Sequence, residues 1–305
     1  MAVNRTIRKI FMTKTYHQMT FQCSRDVATP LAAFLEDSSA LSVSLIDAAD
    51  EPIYEPELNE IALWSEVKVI ALFDNAEEAH QTLQLLEQLL EYTPDYKIEI
   101  IDDQDWVSAT QAQFQPQCFA EKLWVYPEWR HIPDSHSMAL KLAPGVAFGT
   151  GTHATTQMCL EALARCVEPN MKVIDYGCGS GILGLAALTL GAAHSYCVDI
   201  DPQALEATQN NALLNQFDEA KLFIGLANEM PMIKVDILVA NILAKPLIEL
   251  QLLFEQLLKP KGIIILSGIL DTQADFLIEA YKNWMPLKVF MQKEEWVSLI
   301  GGSYD

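Results

Sequence analysis

At 305 residues the chain exceeds what one compact domain usually holds, and with half its residues apolar each of two domains can bury its own core. Forty-one acidic against twenty basic side chains leave a formal charge of -21, a field that repels nucleic acid and attracts cationic partners besides keeping the protein in solution. No apolar run approaches the roughly 18 residues of a membrane span and the start lacks the apolar core of a secretion signal, so a cytoplasmic protein with no membrane role is expected.

Residues 1–16 carry Arg5, Arg8, Lys9 and Lys14 and no acid; they read as a tail or an over-extended start, with Met12 and Met19 as alternatives, and no function is assigned to them. From Met19 the pattern becomes short and alternating. It predicts strands over 20–23, 41–46, 61–73 and 97–101, helices over 26–36 and 76–92, and a loop holding Pro52 and Pro56. The order βαββαβ suits an α+β ferredoxin-like sandwich over 17–102, a fold too widely used to imply a function. A polar helix over 102–114 anchored by Trp106, a strand over 123–126 and a turn-rich stretch over 127–133 follow, so 103–136 reads as a linker.

Beyond it strands and helices alternate. Strands are expected over 172–175, 195–199, 221–224, 236–240 and 263–266, with helices over 181–190, 202–214 and 246–258. This pattern predicts an α/β domain over 137–305, a parallel sheet covered on both faces. Two last strands, 287–291 and 296–300, are too close in sequence to pair other than antiparallel. The six cysteines lack any C-x-x-C pair, so neither zinc nor a disulfide framework is suggested, and no metal is expected.

The densest signal is Val173-Ile174-Asp175-Tyr176-Gly177-Cys178-Gly179-Ser180-Gly181, a buried strand entering glycines and then a helix, where backbone can approach a ligand closely. Gly179-x-Gly181-x-x-Gly184 also satisfies the dinucleotide fingerprint, with Asp199 twenty residues beyond Gly179 to take ribose hydroxyls. Asp175 is read as deciding between the two ligand classes. A carboxylate at the strand end would repel a pyrophosphate, whereas S-adenosylmethionine is cationic and has no phosphate. Asp201 is expected to cap the helix opened by Pro202. Asn241, in Ala240-Asn241-Ile242-Leu243-Ala244, ends the fourth strand and can accept a hydrogen bond from a target amine. Upstream, Phe148-Gly149-Thr150-Gly151-Thr152-His153-Ala154-Thr155-Thr156 is a glycine and threonine loop entering a helix; His153 reads as a capping residue, since no second metal ligand accompanies it.

These segments, together with Leu123-Trp124, Pro127-Glu128-Trp129-Arg130 and Lys293-Glu294-Glu295-Trp296, resemble the bacterial ribosomal protein L11 methyltransferases, the PrmA type. The resemblance runs over nearly the whole chain from Met19. It implies a C-terminal class I methyltransferase domain, Rossmann-like with a seven-stranded mostly parallel sheet, behind a ferredoxin-like recognition domain and a linker. It further implies transfer of methyl groups from S-adenosylmethionine to the N-terminal amine and lysines of a basic large-subunit ribosomal protein, without direct nucleic-acid binding. Cofactor positions transfer onto Thr156, Gly177, Asp199 and Asn241; Gly179 and Ile200 join them as candidate contacts, and Asn241 is the candidate catalytic residue. Ala154 stands where the family usually has proline, and Thr110 where it has a second tryptophan in the linker helix. A base-methylating enzyme would be expected to follow its asparagine with prolines and an aromatic to stack a flipped base, which Ile242, Leu243 and Ala244 do not supply. A ribosome-binding module without catalysis is the remaining alternative.

Overall fold

The computed structural model describes residues 14–49, 63–90, 95–102, 114–143 and 151–303. The chain forms two compact units, Met1–Thr110 and Gln111–Asp305. The expected tail up to residue 13, the Pro52 and Pro56 loop, most of the Trp106 helix and residues 148–150 of the glycine and threonine loop lie outside the described residues.

In the first unit β1 (Thr15–Ser24), β2 (Ser42–Asp47), β3 (Glu66–Phe73) and β4 (Asp95–Asp102) form an antiparallel sheet in the order β2-β3-β1-β4. Alternation decides which face is buried. Met19, Phe21 and Cys23 of β1 and Val67, Val69, Ala71 and Phe73 of β3 are buried with Leu31 and Leu35 of α1 (Arg25–Glu36) and Leu83 and Leu86 of α2 (Ala76–Leu89). Asn75 caps α2 by accepting the Glu78 N–H at 3.0 Å. β1 starts earlier than expected because Thr15 and Tyr16 pair with β4 and His17 to Met19 with both β3 and β4, a long-range gain that its polar composition does not advertise.

The second unit opens with a small sheet, β5 (Gln117–Phe119), β6 (Leu123–Pro127) and β7 (Ala139–Leu142). Phe119, Leu123, Val125, Leu140 and Leu142 belong to the same core as Leu160 of α3 (Ala154–Cys166) and Leu183 of α4 (Ile182–Thr189). Part of the segment expected as a linker is thus built into this unit's core. Its outer strands are three and four residues long, too short for a periodic signal.

The main sheet comprises β8 (Lys172–Tyr176), β9 (His194–Asp199), β10 (Leu222–Leu226), β11 (Val235–Asn241), β12 (Leu258–Leu270), β13 (Leu287–Lys293) and β14 (Trp296–Gly301), in the order β10-β9-β8-β11-β12-β14-β13. β14 runs antiparallel to both neighbours and the other adjacent pairs are parallel. Both faces are covered, so the central strands read as continuous apolar runs. Ile237 and Val239 face the core shared with α3 and α4, while Leu238 and Ala240 face the core holding Leu247, Phe254 and Tyr281.

α5 (Pro202–Leu214) matches its expected bounds. The helix expected over 246–258 is instead α6 (Ala244–Glu249) and α7 (Gln251–Leu257), and α8 (Ala274–Tyr281) was not expected. Tyr281 of α8 donates its hydroxyl to the Leu247 carbonyl at 2.6 Å, tying α8 to α6. The sheet grows outward from β8 through β9 to β10 and then returns to β11 beside β8. Strand order reverses there, so the loops leaving β8 and β11 part and open a crevice at their carboxyl ends.

Candidate active site

One wall of the crevice is the turn after β8. Gly177, Gly179 and Gly181 have φ of +78°, +55° and +78°, a left-handed backbone that side chains disfavour. The Gly177 and Cys178 N–H groups donate to the Val198 carbonyl at 2.8 and 3.0 Å, tying the turn to β9. From α5, Thr208 donates to the Gly179 carbonyl at 3.0 Å and Asn211 donates to the Ser180 carbonyl at 2.9 Å. Thr208 and Asn211 were missed from sequence. Their only signal was two polar residues on a buried helix face.

Asp199 closes β9. Its Oδ2 accepts the Gly179 N–H at 2.9 Å, and its Oδ1 accepts the Ile200 and Asp201 N–H groups at 2.7 and 3.0 Å. The carboxylate is therefore oriented before any ligand arrives. A carboxylate has about four acceptor positions, so a ribose diol must share or displace one of these backbone donors. Ile200 is 86% exposed beside it and offers an apolar face. Asp201 caps α5 by accepting the Gln203 N–H at 2.9 Å.

Asp175 does not do what its position in sequence suggested. It is fully buried, pointing beneath the turn, where Oδ2 accepts the Gly184 N–H at 2.8 Å and Oδ1 has no hydrogen-bond partner. Burial, with Asp199 nearby and against the Gly184 bond, pushes its pKa up to about 8, so it is mostly protonated at neutral pH. It therefore neither lines the crevice nor carries the charge that was expected to exclude a pyrophosphate. Burial likewise pushes up the neighbouring Cys159, Cys178 and Cys197 thiols, which leaves them unreactive.

The opposite wall is the end of β11. Asn241 Nδ2 donates to Thr156 Oγ1 at 3.2 Å, and Thr156 is buried in the first turn of α3. With Nδ2 engaged, Oδ1 is the acceptor that Asn241 has to offer. His153 caps α3, its Nδ1 accepting the Thr155 N–H at 3.4 Å and meeting Thr155 Oγ1 at 2.7 Å, and its ring meets Trp296 edge-on at 5.1 Å. The fold thus gathers Gly177, Gly179, Asp199 and Ile200 at the β8 and β9 ends and pairs Asn241 with Thr156 at the β11 end.

The chain is similar to known proteins over most of its length. Residues 15–303 match the family described as ribosomal protein L11 methyltransferase (PrmA). The ribosomal protein L11 methyltransferase of Histophilus somni strain 2336 is 44% identical over 287 residues, spanning 93% of this chain and 97% of the relative. That of Marinomonas sp. strain MWYL1 is 44% identical over 271 residues, 88% and 92% of the two chains. Among solved structures, the ribosomal protein L11 methylase of Lactobacillus delbrueckii subsp. bulgaricus aligns with a TM-score of 0.53 and 30% identity, covering 62% of this chain and 98% of that one.

Proposed function

This chain belongs to the ribosomal protein L11 methyltransferase family, and from that premise we propose that it transfers methyl groups from S-adenosylmethionine to the N-terminal amine and lysine ε-amines of ribosomal protein L11. Its mixed α/β architecture with a large, mostly parallel sheet is of the class I methyltransferase type. The observation that carries the reading is the Asn241 to Thr156 bond at the end of β11, the strand beside β8: with the amide N–H group engaged, Oδ1 is left as the acceptor.

The residues present fit the cofactor. Gly177 and Gly179 present backbone without side chains, Asp199 is held ready for ribose hydroxyls, Ile200 provides an apolar surface for the base, and the bonded pair Thr156 and Asn241 closes the cofactor site at the β11 end, where Asn241 also meets the amine. S-adenosylmethionine, when bound, supplies an electrophilic methyl group. The protein's own task is to hold the acceptor amine in line and unprotonated. A lysine with a pKa of ~10.4 is almost wholly charged at neutral pH, and nearby carboxylates would keep it so. Asn241 Oδ1 accepts a hydrogen bond from the amine while carrying no charge, and a protonated Asp175 removes one negative charge from beneath the turn. Water exclusion in the crevice favours the neutral amine further.

We read the N-terminal unit as a ferredoxin-like recognition domain; its βαββαβ order and its β2-β3-β1-β4 sheet support this. The charge of -21 suits electrostatic steering of a basic protein rather than nucleic-acid binding. Among the described residues no helix is long and apolar enough to cross a membrane.

Incubating free ribosomal protein L11 with this chain and methyl-labelled S-adenosylmethionine, followed by mass spectrometry, tests the proposal. Mass gains in single methylene steps on the N-terminus and lysines are expected. No gain, with calorimetry showing intact cofactor binding, would rule out this substrate.

A further inference from the structure

Two glycines far apart in the chain are shaped around one isoleucine. A Cβ on Gly177 would lie 2.3 Å from Ile242 Cγ2, so that methyl occupies the place a side chain would take. A Cβ on Gly268 would lie 2.5 Å from the Ile242 carbonyl oxygen and 2.9 Å from its backbone nitrogen and carbon. Gly268 has φ of +83°, and the β12 to β14 register shifts between Leu266 and Ile269, so a bulge surrounds it. Bulges of this kind re-aim neighbouring backbone. Ser267, the residue before it, pairs with Asn241 across the β11 to β12 ladder and donates its buried hydroxyl to the Val297 carbonyl at 3.1 Å, which anchors the bulge to β14.

Ile242 is thus gripped from two sides, its backbone against β12 and its Cγ2 methyl against the first glycine of the β8 turn. It is also the residue directly after Asn241, and its side chain packs on the core beneath. Nothing else about an aliphatic residue at this place calls for a glycine on each side. A methyl transfer requires donor and acceptor aligned to a fraction of an ångström, and the two walls of the crevice come from strands whose loops diverge.

We propose that Ile242 is a positioning residue that sets the separation between the Gly177 turn and Asn241, with Gly268 kept free of a side chain so that the Ile242 backbone can approach. The inference rests on the assignment of Asn241 to the amine side. The determinant is the β-branch: valine keeps the Cγ2 methyl, whereas leucine keeps the volume and loses it.

The test compares full-length Ile242→Leu and Ile242→Val with the parent, using free ribosomal protein L11 and S-adenosylmethionine. Ile242→Leu is expected to lower kcat about 30-fold while cofactor Kd stays within about three-fold, and Ile242→Val to keep kcat within about three-fold of the parent. Leucine keeps the volume and valine removes a single methylene, so Tm of either variant should move by only a few degrees. Equal kcat for the two variants would overturn the inference, as would a kcat loss in Ile242→Leu that is matched by lost cofactor affinity and Tm. A parent with no methyl transfer at all would remove the assignment of the site beneath it.

Discussion

The two walls of the crevice are built by different means. The Gly177 to Gly181 turn and Asp199 are joined by a bond spanning 20 residues, and the turn's shape follows from glycines at alternate positions of one five-residue stretch. Asn241 depends on Thr156, 85 residues away, and its successor Ile242 on Gly177 of the turn after β8 and Gly268 of β12. The first wall takes its shape from its own glycines, braced by Thr208 and Asn211 of α5, and the second takes it from packing alone. A binding wall of the first kind tolerates change elsewhere in the domain, whereas the second transmits it.

Breaking the local wall should give the largest effect. Asp199→Ala removes a charged acceptor from three backbone donors and from the ribose, and cofactor Kd by calorimetry is expected to rise about 100-fold or more. An unchanged Kd would take Asp199 out of cofactor binding.

A pH series sharpens the contrast between the part-exposed and the buried carboxylate at the same turn. Asp175 has a folded pKa of about 8 against an ordinary value of 3.8, so the native state holds its proton where the unfolded chain has lost it. Its contribution to stability is fully present below about pH 4 and is lost as pH rises towards 8, at up to about 1.4 kcal/mol per pH unit. Asp175→Asn removes that slope, and denaturation curves of parent and variant should diverge across this window, with the variant gaining relative to the parent at alkaline pH. Parallel curves would mean that the buried carboxyl is ionised throughout.

Much of this was legible in the sequence because the central strands are apolar runs bounded by turns and the glycine motif is contiguous. Asp175 was misjudged for a physical reason. In a sheet covered on both faces, the residue at a strand's end can point into a core as readily as toward a ligand, and period-two alternation does not separate the two. Only the position of the Gly184 N–H, one helical turn into a packed element, settles which way it goes. Thr208 and Asn211 were overlooked because a polar residue on a helix announces exposure until the loop it supports is placed against it. The division of the helix expected over 246–258 likewise answers to packing, since Phe254 and Leu257 are buried on one side of the joint at Leu250 and Leu247 on the other.

Asn241 is assigned to act on the amine and not merely to hold the fold or the cofactor. Measuring kcat and cofactor Kd for Asn241→Ala with ribosomal protein L11 tests it most directly. A kcat about 100-fold lower is expected, a size typical of losing one aligned polar group at the reacting centre, with cofactor Kd changed by only a few-fold. A kcat equal to that of the parent, or a loss accounted for entirely by weaker cofactor binding, would contradict it.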